Sequence, residues 1–254
     1  MDFQIESNTL LTLFLISVRV SVLFLFSPVF SFGQVPHQVR YLFAYSLAFF
    51  LFVSLGIQPV SSPNQLSGVL DLILFEFFIG FMLAFGVLVA FSAYLFGGRI
   101  LDMQMGFAVA SLVDPVTKNQ NPLIGTLLYS VGIVTFLALD GHHQLIRGLA
   151  YSFSKMPPGS GFEQLTLSPL IQYAGIMFFH GVMMVIPVII SLLLVDFLMA
   201  YMARTMPQVN MFIMSLPIKI LLGIFVLMIS LSYISPVLSK NYQSLFLFWQ
   251  QLLQ

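Results

Sequence analysis

Residues 69 to 96 read VLDLILFEFFIGFMLAFGVLVAFSAYLF, and the fold class can be argued from this run. Its charged residues are Asp71 and Glu76, both in the first third. A helix needs about 20 mostly apolar residues to cross roughly 30 Å of hydrocarbon, so the stretch can span a bilayer. Its apolar residues are continuous and do not alternate with a period of two, which argues against a strand of a membrane barrel.

Further apolar runs flank this stretch and are separated by Gly, Pro, Asn and charged residues. Together they predict an all-α membrane protein with about six long hydrophobic helices in a single domain, 1 to 254. The longest run contains Pro187, where we expect a kink. The most polar separator, Lys155 to Ser168, contains Pro157-Pro158-Gly159 and is predicted to be an aqueous turn. The six runs are 10 to 32, 41 to 57, 69 to 96, 123 to 139, 170 to 203 and 211 to 238, followed by a short aromatic tail at 245 to 253.

Composition excludes several classes of function. Of the 254 residues, 59% are hydrophobic and 7% charged, whereas an ordinary soluble domain has roughly 25% charged residues. The formal net charge is zero, which argues against nucleic-acid binding. Cysteine is absent, so disulfides and thiolate chemistry are excluded. We find no nucleophile motif, phosphate-binding loop or acid–base pair, and therefore predict neither an enzyme nor a cofactor.

Charged residues inside the apolar runs are functional candidates, because an ionisable group in hydrocarbon is costly. One interpretation is a path for ions or protons. The other, which we favour, is a set of interhelical salt bridges together with groups near helix ends that reach water. The residues concerned are Arg19, Asp71, Glu76, Asp196 and Lys219.

The motif Asp140-Gly141-His142-His143 suggests a metal site. Its spacing argues against one, because adjacent residues of a helix point about 100° apart, whereas metal-binding pairs on one face are four residues apart. We therefore predict that Asp140 caps a helix, and we assign no metal ligand.

Small residues recur along the third run at Gly86, Ala90, Ala93 and Gly97. At about 100° per residue they lie within a narrow arc of one helix, where another backbone can approach closely. The pattern predicts helix or subunit packing along this stripe.

The segment after this stripe is unusual. Eleven uncharged residues, Met103 to Val113, lie between Asp102 and Asp114. They are too few to span a bilayer and too apolar for a solvated loop, so they form either a re-entrant element or a short buried connector. Methionine and phenylalanine side chains there are deformable fillers, suited to sealing a gap.

These motifs resemble those of the FliR family of flagellar biosynthetic proteins and of its injectisome relatives in type III secretion. The resemblance covers nearly the whole chain and rests on an ordered set of residues. The set comprises Arg19, Pro28, Pro36, Arg40, Met103-Gln104-Met105-Gly106-Phe107, Asp114-Pro115, Asp140-Gly141-His142, Gly181, Pro187, Arg204-Thr205-Met206-Pro207-Gln208, Phe212, Pro217 and Gly223.

The resemblance implies a core subunit of an export gate in the bacterial inner membrane, at the flagellar basal body. In that family one FliR joins several copies of FliP and FliQ in a closed helical assembly of bent hairpins, and FlhB associates with it. Unfolded flagellar subunits pass through the centre. Hydrophobic helices of this assembly need not all cross the lipid bilayer as ordinary spans.

The resemblance also implies a pore plug formed by the segment matching Gly106 to Pro115. We expect Met105, Phe107, Val109 and Leu112 to help seal the closed pore, with Ala108 and Asp114 in the same plug. We further expect Arg204 and Gln208, four residues apart on one helix face, to hydrogen-bond a neighbouring helix of this chain or of a partner.

Two alternatives remain open. A stand-alone multi-pass transporter or channel would use the buried acids as its coupling site, although we find no internal repeat. A purely structural scaffold would give the 103 to 113 segment no gating role. Substitutions at Phe107 discriminate, because they disturb closure in a gate and only stability in a scaffold.

Overall fold

A computed structural model of the chain describes residues 7 to 28, 36 to 60, 66 to 107, 122 to 160, 168 to 208 and 210 to 253. The regular structure in these ranges is helical, which confirms the predicted all-α class. The helices are α1 (Ser7–Phe26), α2 (His37–Leu55), α3 (Leu66–Met105), α4 (Leu123–Ala138), α5 (Gly141–Lys155), α6 (Ser168–Thr205) and α7 (Met211–Leu252).

Among the described residues, five helices are long and apolar enough to cross a membrane. Helices α4 and α5 make a sixth candidate if the pair is one broken span. This agrees with the predicted number of about six. The five are Ser7–Phe26, Gln38–Leu55, Ser67–Met105, Ser168–Thr205 and Ile213–Ser232.

The helix boundaries differ from the predicted runs, since α1 ends at Phe26 and not at residue 32, and α2 runs from His37 to Leu55 and not from 41 to 57. Three further differences have a clear cause. Helix α3 continues past residue 96 to Met105, because its Gly97-Gly98 pair is accommodated inside a close helix contact and does not end the helix. The predicted tail 245 to 253 is not separate, since α7 runs unbroken to Leu252. Helix α5 was missed because it is amphipathic: its buried side chains recur at helical spacing and form no continuous apolar run.

The chain divides into two compact units, and the four divisions fall inside α3, α6 and α7 and between α4 and α5. Unit 1 comprises the described residues within Met1–Val89, Asp140–Ala174 and Ser244–Gln254. Unit 2 comprises those within Ala90–Leu139 and Gly175–Gln243.

Unit 1 is built around a buried ion pair. The Nε of Arg19 on α1 donates to Oε2 of Glu76 on α3 at 2.6 Å, and both side chains are fully buried. The remaining guanidinium nitrogens donate to Ser152 Oγ at 3.2 Å and to the Met156 carbonyl at 3.0 Å. The predicted interhelical salt bridge is confirmed for this pair, which joins three helices.

The turn after α5 closes over this pair. The Gly159 amide donates to Oε1 of Glu76 at 3.3 Å, and Gly159 has φ +85°, a conformation that favours glycine. Met156 and Pro158 are buried in the same turn. The prediction of an aqueous turn is therefore wrong for residues 156 to 159, because the backbone here satisfies buried charges.

The end of α7 anchors unit 1. The indole Nε1 of Trp249 donates to the Leu83 carbonyl on α3 at 3.2 Å. A Cβ on Gly148 of α5 would lie 2.3 Å from the Trp249 ring, so only glycine leaves room for the indole there. In the same way, the Phe248 ring occupies the space that a side chain on Gly86 would need. Gly86 is the first residue of the predicted small-residue stripe.

Unit 2 has an aromatic core. The ring of Phe91 on α3 lies 5.7 Å from Phe136 on α4 and 6.1 Å from Tyr242 on α7. The Tyr242 hydroxyl donates to the Gly132 carbonyl at 2.6 Å. The buried Asn241 amide donates to the Tyr94 hydroxyl at 3.4 Å. Three helices are thus held by rings whose polar atoms are satisfied inside the protein.

Replacing Glu76 with alanine leaves the Arg19 guanidinium buried without its counter-charge. We expect the free energy of unfolding to fall by about 3–5 kcal/mol, measured by denaturant titration in detergent micelles. Asp71→Ala, at an exposed acid on the same helix, is the matched control. The double variant Arg19→Met/Glu76→Leu should recover most of the loss, and a double variant as unstable as Glu76→Ala would contradict this account.

Candidate functional site

The candidate site lies in unit 2, where α3 ends and α4 begins. We call it the loop base and define it as residues 97 to 106 of the α3 end, residues 122 to 125, and the part of α7 from Leu216 to Gly223. Residues 108 to 121, which contain most of the predicted plug, lie between these parts of the chain and outside the described residues. The loop base comprises the described residues on either side of that segment and the part of α7 that they contact.

Asp102 joins the end of α3 to the start of α4. Its side chain is 4% exposed. Oδ1 accepts from the Ile124 amide at 3.0 Å and Oδ2 accepts from the Gly125 amide at 3.3 Å. Helix α4 has Pro122 at its N-cap and no side-chain bond from that residue. A carboxylate from α3 therefore accepts hydrogen bonds from the free amides at the start of α4. Its negative charge also interacts favourably with the positive end of the α4 dipole.

The same two helices touch backbone to backbone. A Cβ on Gly98 would lie 2.2 Å from Cα of Gly125. A Cβ on Gly125 would in turn lie 3.2 Å from the Leu95 carbonyl oxygen. Because neither residue has a side chain, the Asp102 carboxylate can reach the α4 amides.

Helix α3 ends on α7. A Cβ on Gly223 would lie 2.0 Å from Cε of Met105, so the methionine occupies the space that a side chain would need. Gly106 follows with φ +85° and packs on Leu216. The structure corrects the placement of Met105: it is a fully buried helical residue fixed against α7, not part of the loop.

The rest of the predicted plug is only partly described. Phe107 is half-buried directly after Gly106. Ala108, Val109, Leu112, Asp114 and Pro115 lie outside the described residues. Their sealing role stays a prediction.

The small-residue stripe continues in unit 2 with three buried residues, Ala90, Ala93 and Gly97. A Cβ on Gly97 would lie 2.5 Å from the Gly181 carbonyl oxygen. A Cβ on Gly181 would lie 2.5 Å from the Ala93 carbonyl oxygen. In this chain the stripe therefore contacts helix α6, which leaves little of it available for a partner subunit.

Arg204 and Gln208 do not share a helix face. Helix α6 ends at Thr205, so Gln208 lies in the connection to α7 and the prediction based on a four-residue helical spacing is wrong. Pro207 explains the stop, because it disfavours a helical conformation in the residue before it. Both side chains are exposed. Neither has a hydrogen bond or ion pair within the described part of the chain.

Helices α6 and α7 are joined by a second ion pair. Lys219 Nζ contacts Oδ1 of Asp196, which confirms the interhelical salt bridge predicted for these residues. The pair is less buried than that of unit 1, with the Asp196 side chain 41% exposed and that of Lys219 16%.

The Asp140 cluster differs from the prediction. Asp140 stands at the N-cap of α5 with φ 55° and makes no side-chain capping bond, so the predicted side-chain cap is wrong. Its Oδ1 instead lies 3.2 Å from Nδ1 of the exposed His143. Possible ligand atoms of Asp140, His142 and His143 lie within 4.8 Å of one another. The side chains of His142 and His143 therefore lie close together although they are adjacent in sequence. The cluster is largely exposed and indicates no particular metal.

Comparison with known proteins gives a consistent result. Residues 10–245 match the family model described as "Bacterial export proteins, family 1". The chain is 31% identical over 239 residues to the flagellar biosynthetic protein FliR of Bacillus subtilis strain 168, covering 91% of each chain. It is 29% identical to FliR of Aquifex aeolicus over 257 residues, covering 100% of this chain and 98% of the relative. FliR of Escherichia coli K12 is 26% identical, with 90% and 87% coverage.

Alanine at Gly98 should separate α3 from α4, because its Cβ has no room beside Gly125. We expect a loss of about 1–3 kcal/mol in the free energy of unfolding and faster hydrogen exchange at the Ile124 and Gly125 amides. Gly175→Ala is the matched control, since nothing lies within 4 Å of a Cβ there. It should stabilise α6 by about 0.5–1 kcal/mol, and equal effects at both sites would refute the close contact.

Proposed function

The chain belongs to the bacterial export proteins, family 1, and from that membership we propose that it is a core subunit of the flagellar type III protein export gate. In this proposal it resides in the bacterial inner membrane at the flagellar basal body and assembles with several copies of FliP and FliQ, while FlhB associates with the complex. The gate passes unfolded flagellar subunits and performs no catalysis. Similarity to FliR proteins over most of the chain and the all-α membrane architecture support the assignment.

The observation that supports a plug is the construction of the loop base. Asp102 binds the first amides of α4, and Met105 is fixed against α7. The end of α3, before this segment, and the start of α4, after it, are thereby joined. A segment anchored in this way can project as a loop and seal an opening without pulling its supporting helices apart.

The structure does not favour a stand-alone transporter. Two acids within the apolar runs are paired with cations, Glu76 with Arg19 and Asp196 with Lys219. A coupling carboxylate must exchange partners during transport. The Glu76 carboxylate is fully buried and also accepts a backbone amide, which fixes it in place.

Co-expression with the FliP-like and FliQ-like proteins of the same genome tests the assignment. We expect one copy of this chain in a single stable complex, measured by native mass determination after purification in mild detergent. A chain that purifies alone as a monomer or homo-oligomer in the presence of those proteins would refute the proposal.

The plug is tested by replacing residues 108 to 112 with a Gly-Ser segment of equal length, which spares Met105 and Gly106. We expect the assembled complex to leak ions, because the apolar seal is lost while the loop base is kept. Conductance of the purified complex in planar bilayers is the measurement. Met103→Ala, at an exposed helical residue, is the control, and a replaced loop with unchanged conductance would mean that the segment is a connector.

A further inference from the structure

A cavity of about 390 Å³ lies in unit 1 between α5 and the end of α7. Its volume falls within the range of about 300–1,000 Å³ that is typical of small-molecule sites. Three of its side chains are aromatic rings and three carry nitrogen donors, a mixture that is also typical of such sites. We call it the Arg147 pocket and define it by Gln144, Arg147, Tyr151, Phe246, Trp249 and Gln250.

The nitrogen donors of the pocket are not used within the described part of the chain. The Arg147 side chain is exposed and makes no hydrogen bond or ion pair with the described residues. The same holds for the side-chain amides of Gln144 and Gln250, which are also exposed. Trp249 differs, because its indole nitrogen donates to the Leu83 carbonyl and only its ring lines the cavity.

The charge around the pocket is positive. Lys155 follows Tyr151 by four residues on the same face of α5, with its Nζ 5.8 Å from the centroid of the tyrosine ring. No acidic residue occurs in α5 or in the end of α7 from residue 244 to 252. Asp140, at the N-cap of α5, contacts His143. A cavity with an unpaired guanidinium and no carboxylate on either of its helices favours an anionic ligand.

We propose that the Arg147 pocket binds a phosphorylated polyol, the chemistry shared by the phosphoglycerol headgroup of an anionic lipid and by free glycerol phosphate. The planar guanidinium of Arg147 matches two phosphate oxygens at once. The amides of Gln144 and Gln250 both donate and accept hydrogen bonds, so they suit the hydroxyl groups of the polyol, which do the same. The three rings provide apolar walls for its carbon atoms.

A carboxylate from another protein fits the same groups less well. It has two acceptor oxygens and no donor, so it would engage the Arg147 guanidinium and leave the acceptor oxygens of both glutamine amides unmatched. It would also fill only a small part of the cavity. This binding site is a property of the chain by itself and does not depend on the export-gate assignment.

Trp249 is the single tryptophan of the chain, so its fluorescence reports directly on ligand binding in the Arg147 pocket. Glycerol 3-phosphate is titrated into the full chain, purified in a maltoside detergent, and we expect a saturable change in emission. Arg147→Gln should weaken binding about tenfold or more, because a charge-assisted hydrogen bond is lost. Arg204→Gln, at an exposed arginine of unit 2, is the matched control and should bind as the wild type does.

A second variant tests recognition of the polyol separately from that of the phosphate. Gln250→Leu should weaken binding of glycerol 3-phosphate about threefold or more, because a hydroxyl group loses its partner. Binding of inorganic phosphate, measured in the same way, should stay unchanged. An equal effect on both probes would overturn the assignment to a polyol. Helical circular dichroism establishes that each variant is folded.

Native mass spectrometry distinguishes the two sources of the phosphate. Retention of added phosphatidylglycerol, but not of phosphatidylcholine, by the wild type and its loss in Arg147→Gln would identify a lipid headgroup. A response to glycerol 3-phosphate without lipid retention would identify a soluble phosphate ester.

Three outcomes would overturn the proposal. They are equal binding by the wild type and Arg147→Gln, no saturable response to glycerol 3-phosphate together with no retained phosphatidylglycerol, and a response to a hexaglutamate peptide alone, which would indicate a protein carboxylate. Because these measurements use the chain without partner subunits, each of these outcomes leaves the export-gate function standing.

Discussion

Few charged side chains are available to this protein, and each one inside an apolar helix must find its partner within protein because hydrocarbon offers none. This constraint positions the helices of each unit. In unit 1 it places α1, α3 and the turn after α5 around Arg19 and Glu76. In unit 2 it draws the start of α4 onto Asp102 of α3. Apolar packing alone would tolerate many relative positions of such helices, whereas a directional bond from a buried charge tolerates very few.

Close backbone contact is the second requirement, and it serves the first. A carboxylate is short, so Asp102 reaches the Ile124 amide only where the two helices approach through Gly98 and Gly125. The fully buried Arg19 shows the same dependence, because the neighbouring Gly80 on α3 has its missing Cβ only 2.7 Å from the Arg19 carbonyl oxygen. The glycines at these contacts therefore let the helices approach closely enough for the polar bonds to form.

The fold class, the approximate number of spans and the existence of interhelical ion pairs could be predicted from the sequence, since each depends on composition and run length. Which residue each charged side chain contacts could not be predicted from the sequence. In the sequence, Asp102 indicates only one boundary of an apolar segment. Helix α4, however, begins after Pro122 without a capping side chain of its own, which signals that an acceptor from elsewhere in the chain is needed. Helix α5 has no continuous apolar run that would predict it. A spacing of four residues suggests one helix face for Arg204 and Gln208, but Pro207 ends the helix between them.

The three charged contacts differ in how many oxygens of the carboxylate they use, and so in how firmly they hold their helices. Glu76 uses both oxygens inside unit 1, and Asp102 uses both oxygens on one helix terminus. Asp196 has one oxygen engaged and remains 41% exposed. A carboxylate with both oxygens bonded to protein is held in one position, whereas a carboxylate with a single contact is held less firmly. Glu76 and Asp102 therefore fix the helices around them, and Asp196 joins α6 to α7 by a single and more exposed contact.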